Sequence, residues 1–132
     1  MMTGLIRRSI GVVVAAAPVA LAIASLAWHQ RPAPFPLAAS VLAGAALFIA
    51  LFNLWLSLGR PMYWRWRHPV AAYKHASGAP VIGNFLAIAA LVAGFSTFGT
   101  SLVALLALLI DVGGAPWFVA LTWRQEALWD SP

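Results

Sequence analysis

The chain has no cysteine. That excludes disulfides, thiolate metal sites and cysteine nucleophiles, and it leaves the redox compartment undetermined. Acid is nearly absent as well: Asp111, Glu126 and Asp130 are the only three carboxylates in 132 residues. No pair of them stands at catalytic spacing, and no phosphate loop, HExxH or nucleophile elbow occurs. Histidine is restricted to His29, His68 and His75. None lies inside an apolar run, which excludes haem held by paired histidines within such runs. His29 falls on the opposite side of the chain from the other two. A metal on His68, His75 and a tail acid is the nearest approach to a metal site, and it is a poor one. The expectation is therefore no enzyme, no metal and no cofactor.

What the chain has is apolar length. Hydrophobic residues make up 63% and charged residues 8%, with a mean hydropathy of +0.89. Ordinary globular domains carry roughly a quarter charged residues. A soluble fold of this size could not hide so much apolar side chain, so the lipid bilayer is the expected solvent and partner. The net charge is +5. In a soluble protein that could indicate nucleic acid. Here the basic residues sit in short segments between apolar runs, where they serve topology and headgroup contact, and no nucleic-acid partner is expected. Seven arginines against one lysine, in an Ala/Leu-rich background, give a bacterial cast to the composition.

The runs predict an all-α polytopic membrane protein, a single domain over 1–132. Its four spans fall at about 9–28, 37–58, 81–97 and 100–123. Ser9 to Trp28 is free of charge and, as a helix, about 30 Å long, the thickness of the hydrocarbon core. Ala16, Ala20 and Ala24 form a small-residue stripe that would let a neighbouring helix approach. Pro18 is expected to kink this helix without ending it. A rival reading is a signal peptide cleaved near Ala22-Ile23-Ala24 or Ser25-Leu26-Ala27, with Arg7-Arg8 faintly echoing a twin-arginine signal. The length of the run favours a retained anchor. The connector HQRPAPFP should be stiff and extended. The second span carries the small pairs Ser40/Gly44 and Ala46/Ala50, and one amide, Asn53, expected to reach a partner helix, a carbonyl or headgroup water.

Residues 59–79, GRPMYWRWRHPVAAYKHASGA, form the expected cytoplasmic loop. Arg60, Arg65, Arg67 and Lys74, interleaved with Trp64 and Trp66, suit lipid headgroup contact. Pro61 and Pro69 should keep the loop from being one long helix, and Ser77-Gly78-Ala79-Pro80 turns into the next span. From Ala76 to Ile110 no residue is charged. A single helix over that length overshoots the bilayer. Gly94, Ser96, Thr97, Gly99, Thr100 and Ser101 mark a turn in its middle. With an interior N-terminus, seven basic residues (Arg7, Arg8, Arg60, Arg65, Arg67, Lys74, Arg124) lie inside and Arg31 outside. That is a strong positive-inside bias, with both termini cytoplasmic in a bacterial inner membrane.

The fourth span contains LLIDVGGAPWF. Near the bilayer centre, Asp111 costs about 2.5–3.5 kcal/mol on insertion scales. Gly113, Gly114 and Pro116 lower the cost of unwinding and remove a backbone donor. A broken helix near Asp111–Pro116 follows. Irregular backbone at such depth survives only inside protein or along a cavity. Asp111, Gly113, Gly114, Pro116 and Trp117 are thus the candidate intramembrane site. Three roles remain open. Asp111 could cap the break, bonded to unwound backbone or to the Trp117 indole. It could bind a proton or ion. Or the segment could lie at the outer surface, with Trp117 to Trp129 as an interfacial helix.

The SGAPVIG turn and the DVGGAPWF segment resemble the C-terminal half of small bacterial inner-membrane proteins with a DxGGxPWF-type segment, to which no activity attaches. Small multidrug exporters share the size and four spans, but their functional acid lies in the first span, and here that span has none. The expected function is a non-enzymatic accessory, assembly or toxin-immunity protein that packs with a membrane-protein partner or with copies of itself. The alternative is a small proton- or ion-coupled transporter or channel subunit using Asp111.

Overall fold

The computed structural model describes residues 2–28, 30–68 and 81–125. Lys74, the Ser77–Pro80 turn, Pro69, the three residues His29, His75 and Tyr73, and the tail acids Glu126 and Asp130 lie outside the described residues. The described chain is helical throughout: α1 (Met2–Ala27), α2 (Pro36–Leu54), a π-helical turn (Trp55–Gly59), α3 (Arg60–Arg67), α4 (Ile82–Ala93), α5 (Phe98–Ile110) and α6 (Ala115–Thr122). Three helical stretches are long and apolar enough to cross a membrane: Ile6–Ala27, Pro36–Arg67 and Phe98–Thr122, the last running through the break. The fourth apolar helix, α4, has only 12 residues, about 18 Å of rise.

Helix α2 lies against α4 and α5, and α1 against α5 and α6. The core is made of alanine. Ala39, Ala43, Ala46 and Ala50 form the buried seam of α2, with Asn53 as its next step. Ala15, Pro18, Ala22 and Ser25 form that of α1. This spacing of three and four residues keeps one helical face against the neighbours, and small side chains let the backbones approach. Leu91 and Leu108 are buried with the alanines, but most large apolar residues point the other way: Phe48, Phe85, Val92 and Leu109 are all exposed. That inversion fits a lipid solvent, which gains little from hiding leucine.

The stripe Ala16, Ala20, Ala24 faces outward and is not the seam of the bundle. Of the two pairs in α2, Ala46/Ala50 is buried and Ser40/Gly44 is exposed. Helix α1 runs through Pro18 without ending, as expected. The helix of the second span does not stop at Leu58. It continues to Arg67, because the π-helical turn absorbs Pro61. The Arg60 N–H bonds to the Trp55 carbonyl, one residue further back than in an α-helix, and the wider turn relieves the clash a proline ring makes with the preceding turn.

The turn between α4 and α5 falls where glycine and hydroxyl residues cluster, at 94–97. Its left-handed residue is Ser96 (φ 65°), not a glycine. Gly94 serves close packing instead: a Cβ there would stand 2.8 Å from the Ala39 Cβ and 3.0 Å from Thr100 Cγ2.

Candidate intramembrane polar site

Helix α5 stops at Ile110 and α6 starts at Ala115. Asp111 is the C-cap of α5, with its N–H still bonded to the Ala107 carbonyl at 2.9 Å. The chain then unwinds over three residues. The Gly114 N–H donates to the Asp111 carbonyl at 2.8 Å. The Gly113 N–H donates to Asp111 Oδ1 at 3.2 Å, a short loop of the kind aspartate makes with backbone two residues on. Pro116 sits in the first turn of α6, where its missing N–H costs nothing. The break foreseen around Asp111–Pro116 is therefore present.

The carboxyl is enclosed: Asp111 is 1% exposed. Asn53 Nδ2 donates to Oδ1 at 2.7 Å across the bundle. Asn84, from the first turn of α4, is 5% exposed and ends beside the same group. The two asparagines of the chain thus come from two different helices to one acid. Gly83 and Gly114 make room for this. A Cβ on Gly83 would stand 2.5 Å from Asp111 Oδ2, and one on Gly114 would stand 2.9 Å from Asn84 Oδ1. Any larger residue would occupy the site itself.

Oδ1 has two donors, but Asp111 Oδ2 and Asn84 Oδ1 are buried with none. Both are acceptors, and two acceptors cannot satisfy each other. Leaving such groups unpaired costs about 1–3 kcal/mol each.

Trp117 does not reach the acid. Its Nε1–H donates to the Leu109 carbonyl at 2.8 Å, satisfying one of the orphan carbonyls at the end of α5. Asp111 lies inside the bundle, and α6 ends at Thr122; Trp129, the far end of the expected interfacial helix, lies outside the described residues. No group of three or more metal-ligating side chains occurs among the described residues.

A second polar cluster closes the other end. Ser25 Oγ and Ser101 Oγ are 2.6 Å apart and buried, and the Ser96 N–H donates to Ser25 Oγ at 2.8 Å. The connector is stitched on beside it, with the Arg31 N–H on the Ser96 carbonyl at 2.9 Å.

The expected headgroup residues Arg60, Arg65, Arg67, Trp64 and Trp66 all lie exposed on α3. The Arg67 guanidinium stands 5.6 Å from the Tyr63 ring centre and 5.9 Å from that of Trp66. Arg8 sits 5.6 Å over the Trp123 ring, tying α1 to the end of α6. No protein family, characterised protein or solved structure matches this chain.

Proposed function

We propose that the chain is a four-crossing protein of a bacterial inner membrane that works by packing against another membrane protein, or against a second copy of itself, and not by catalysis. Helix α4 makes the short third crossing. Seven basic residues against one put both termini and residues 59–79 on the cytoplasmic side. On that side, α3 lays its arginines and tryptophans among the headgroups.

The observation that carries this reading is the pair of small-residue seams that the bundle leaves unused. On α1 it is Ala16, Ala20 and Ala24, beside a shallow apolar groove that Val12, Pro116 and Val119 complete. On α2 it is Ser40 and Gly44, beside a groove shared with Gly99 and Thr100. Only 22–28% of each spanning window is buried within the chain. Small residues facing outward give lipid little contact but suit a second helix, because backbones can then approach.

Photo-crosslinking in native membranes tests this. A crosslinker at Ala20 or Gly44 should capture one discrete protein, or the chain itself, whereas one at the lipid-facing Phe48 should not. Gly44→Leu has open space around its new side chain, so it should leave the fold intact and abolish the crosslink. Equal crosslinking from all three positions would refute the seams. Cysteine labelling, free of native background, tests the topology. A cysteine at Arg31 should react with an impermeant reagent from outside, and one at Arg65 or Gln125 should not.

A further inference from the structure

We infer that the oxygens around Gly114 bind one monovalent positive charge, either a proton or an alkali-metal ion, and that the helix break is built to hold it. Three oxygens crowd around Gly114: a Cβ there would stand 2.9 Å from Asn84 Oδ1, 3.0 Å from the Asp111 carbonyl and 3.2 Å from Asp111 Oδ2. Two of the three, Asn84 Oδ1 and Asp111 Oδ2, are buried with no donor. Their side chains are 5% and 1% exposed.

The Asp111 carbonyl already accepts the Gly114 N–H, but the carboxyl oxygen and the Asn84 oxygen, grouped beside the same glycine, repel one another unless something electropositive joins them. Hard cations take oxygen ligands of this kind. Unwound backbone beside a discontinuous helix supplies them in membrane proteins. An acidic hydrogen on Oδ2 would instead make that atom a donor for Asn84 Oδ1.

Among the described residues no donor is bonded to Oδ2. Helix α2 presents Asn53, which is committed to Oδ1. Helix α4 presents Gly83 and Asn84. The titratable and basic groups of the neighbouring elements are Arg60, Tyr63, Arg65, Arg67 and His68 on and after α3, Arg124 after α6, and Arg7 and Arg8 on α1. None of them bonds to Oδ2. The site lies inside the bundle, away from the outward seams, and stands or falls separately from the partner reading.

The experiment uses the full chain purified in detergent. Its thermal midpoint is followed against NaCl, KCl or LiCl, balanced with N-methylglucamine chloride at constant ionic strength, and in parallel against pH. A ligand that binds only the folded state raises the midpoint as it saturates. Dependence on one alkali ion at fixed pH identifies a metal-ion site; dependence on pH alone identifies a proton.

In Asp111→Asn the new amide can donate to Asn84 Oδ1 while its oxygen keeps the bonds from Asn53 and Gly113. This variant should fold and lose the dependence. Asn84→Ala should weaken apparent binding at least tenfold, seen as a shift of the titration to higher ion concentration or lower pH. A wild type that responds to neither variable overturns the inference. So does a titration left unshifted in Asn84→Ala, even if Asp111→Asn fails to fold. With no response at all, the Asn84 amide is turned with Nδ2 donating to Asp111 Oδ2, and the cluster is a closed lock.

Discussion

Two polar clusters sit in this alanine bundle, one at each end of the α5 helix, and they are built on opposite principles. The outer one uses Ser25, Ser96 and Ser101. A hydroxyl both donates and accepts, so the Ser96 N–H, Ser25 Oγ and Ser101 Oγ each find a partner within the cluster. The inner one uses a carboxyl and two amides. Two donors, from Asn53 and Gly113, meet Oδ1, while Asp111 Oδ2 and Asn84 Oδ1 are left over. Hydroxyls give a staple that rotates to fit. An acid with carboxamides gives an excess of acceptors, which is a staple only if something else is bound.

The sharpest way to break this comparison is to fill the inner site. In Gly83→Ala the new methyl would stand 2.5 Å from Asp111 Oδ2, inside contact distance and against a buried polar atom. Overpacking of this kind costs about 1–3 kcal/mol, and the upper end is expected here because the end of α5 cannot retreat without breaking the Asn53 bond. Gly99→Ala meets nothing within 4 Å and serves as control. Thermal unfolding in detergent should show a large drop for the first and none for the second. Equal midpoints would mean that the inner cluster is loosely held.

Much of this inner site was legible in the sequence, and the reason is physical. Asp111, Gly113, Gly114 and Pro116 break helical rules within six residues, and that density signals irregular backbone. Asn53 was visible as a lone amide in its span. Asn84 was not, because it falls close to the start of its span, where an amide can be satisfied by headgroup water. The missed signal was scarcity: the chain has two asparagines in all, each one helical turn or so from the same loop, and Asp111 is the one spanning acid. Ser25 and Ser101 gave still less warning, since serine is common in turns and signal sequences and only tertiary pairing distinguishes them.

The fold divides in the same way. The turn at 94–97 and the break at 111–114 follow from local residue types. The outward orientation of Ala16, Ala20 and Ala24 does not, because α1 has a second small-residue face at Ala15, Ala22 and Ser25, and periodicity alone cannot choose between the two. Nor could Pro61 announce a π-helical turn.

A milder perturbation sharpens the outer half of the comparison. Ser25→Ala removes the acceptor of the buried Ser96 N–H and the partner of Ser101 together, whereas Ser101→Ala leaves the Ser96 bond in place. The first should cost about 1–2 kcal/mol, within the range for a buried donor left unpaired. The second should cost about 0.6 kcal/mol, the average for an interhelical bond in a membrane bundle. Neither should alter any response to ions or pH. If Ser25→Ala did so, the two clusters would be coupled through α5 and the contrast between them would fail.

The smallest effect concerns the edge of the inner site. The Trp117 indole donates to the Leu109 carbonyl at 2.8 Å, and Trp117 is 39% exposed. Trp117→Phe keeps most of the ring and loses only that donor. The released carbonyl lies at the end of α5, where the unwound chain gives it freedom to find another partner. The expected cost is about 0.5 kcal/mol, the low end for a hydrogen bond exchanged rather than orphaned. Because the indole bonds the backbone two residues before Asp111 and not the carboxyl, this variant should bind the same ion or proton with unchanged affinity. A several-fold loss of that affinity would show that the tryptophan sets the angle of the break, and that the inner cluster extends to α6.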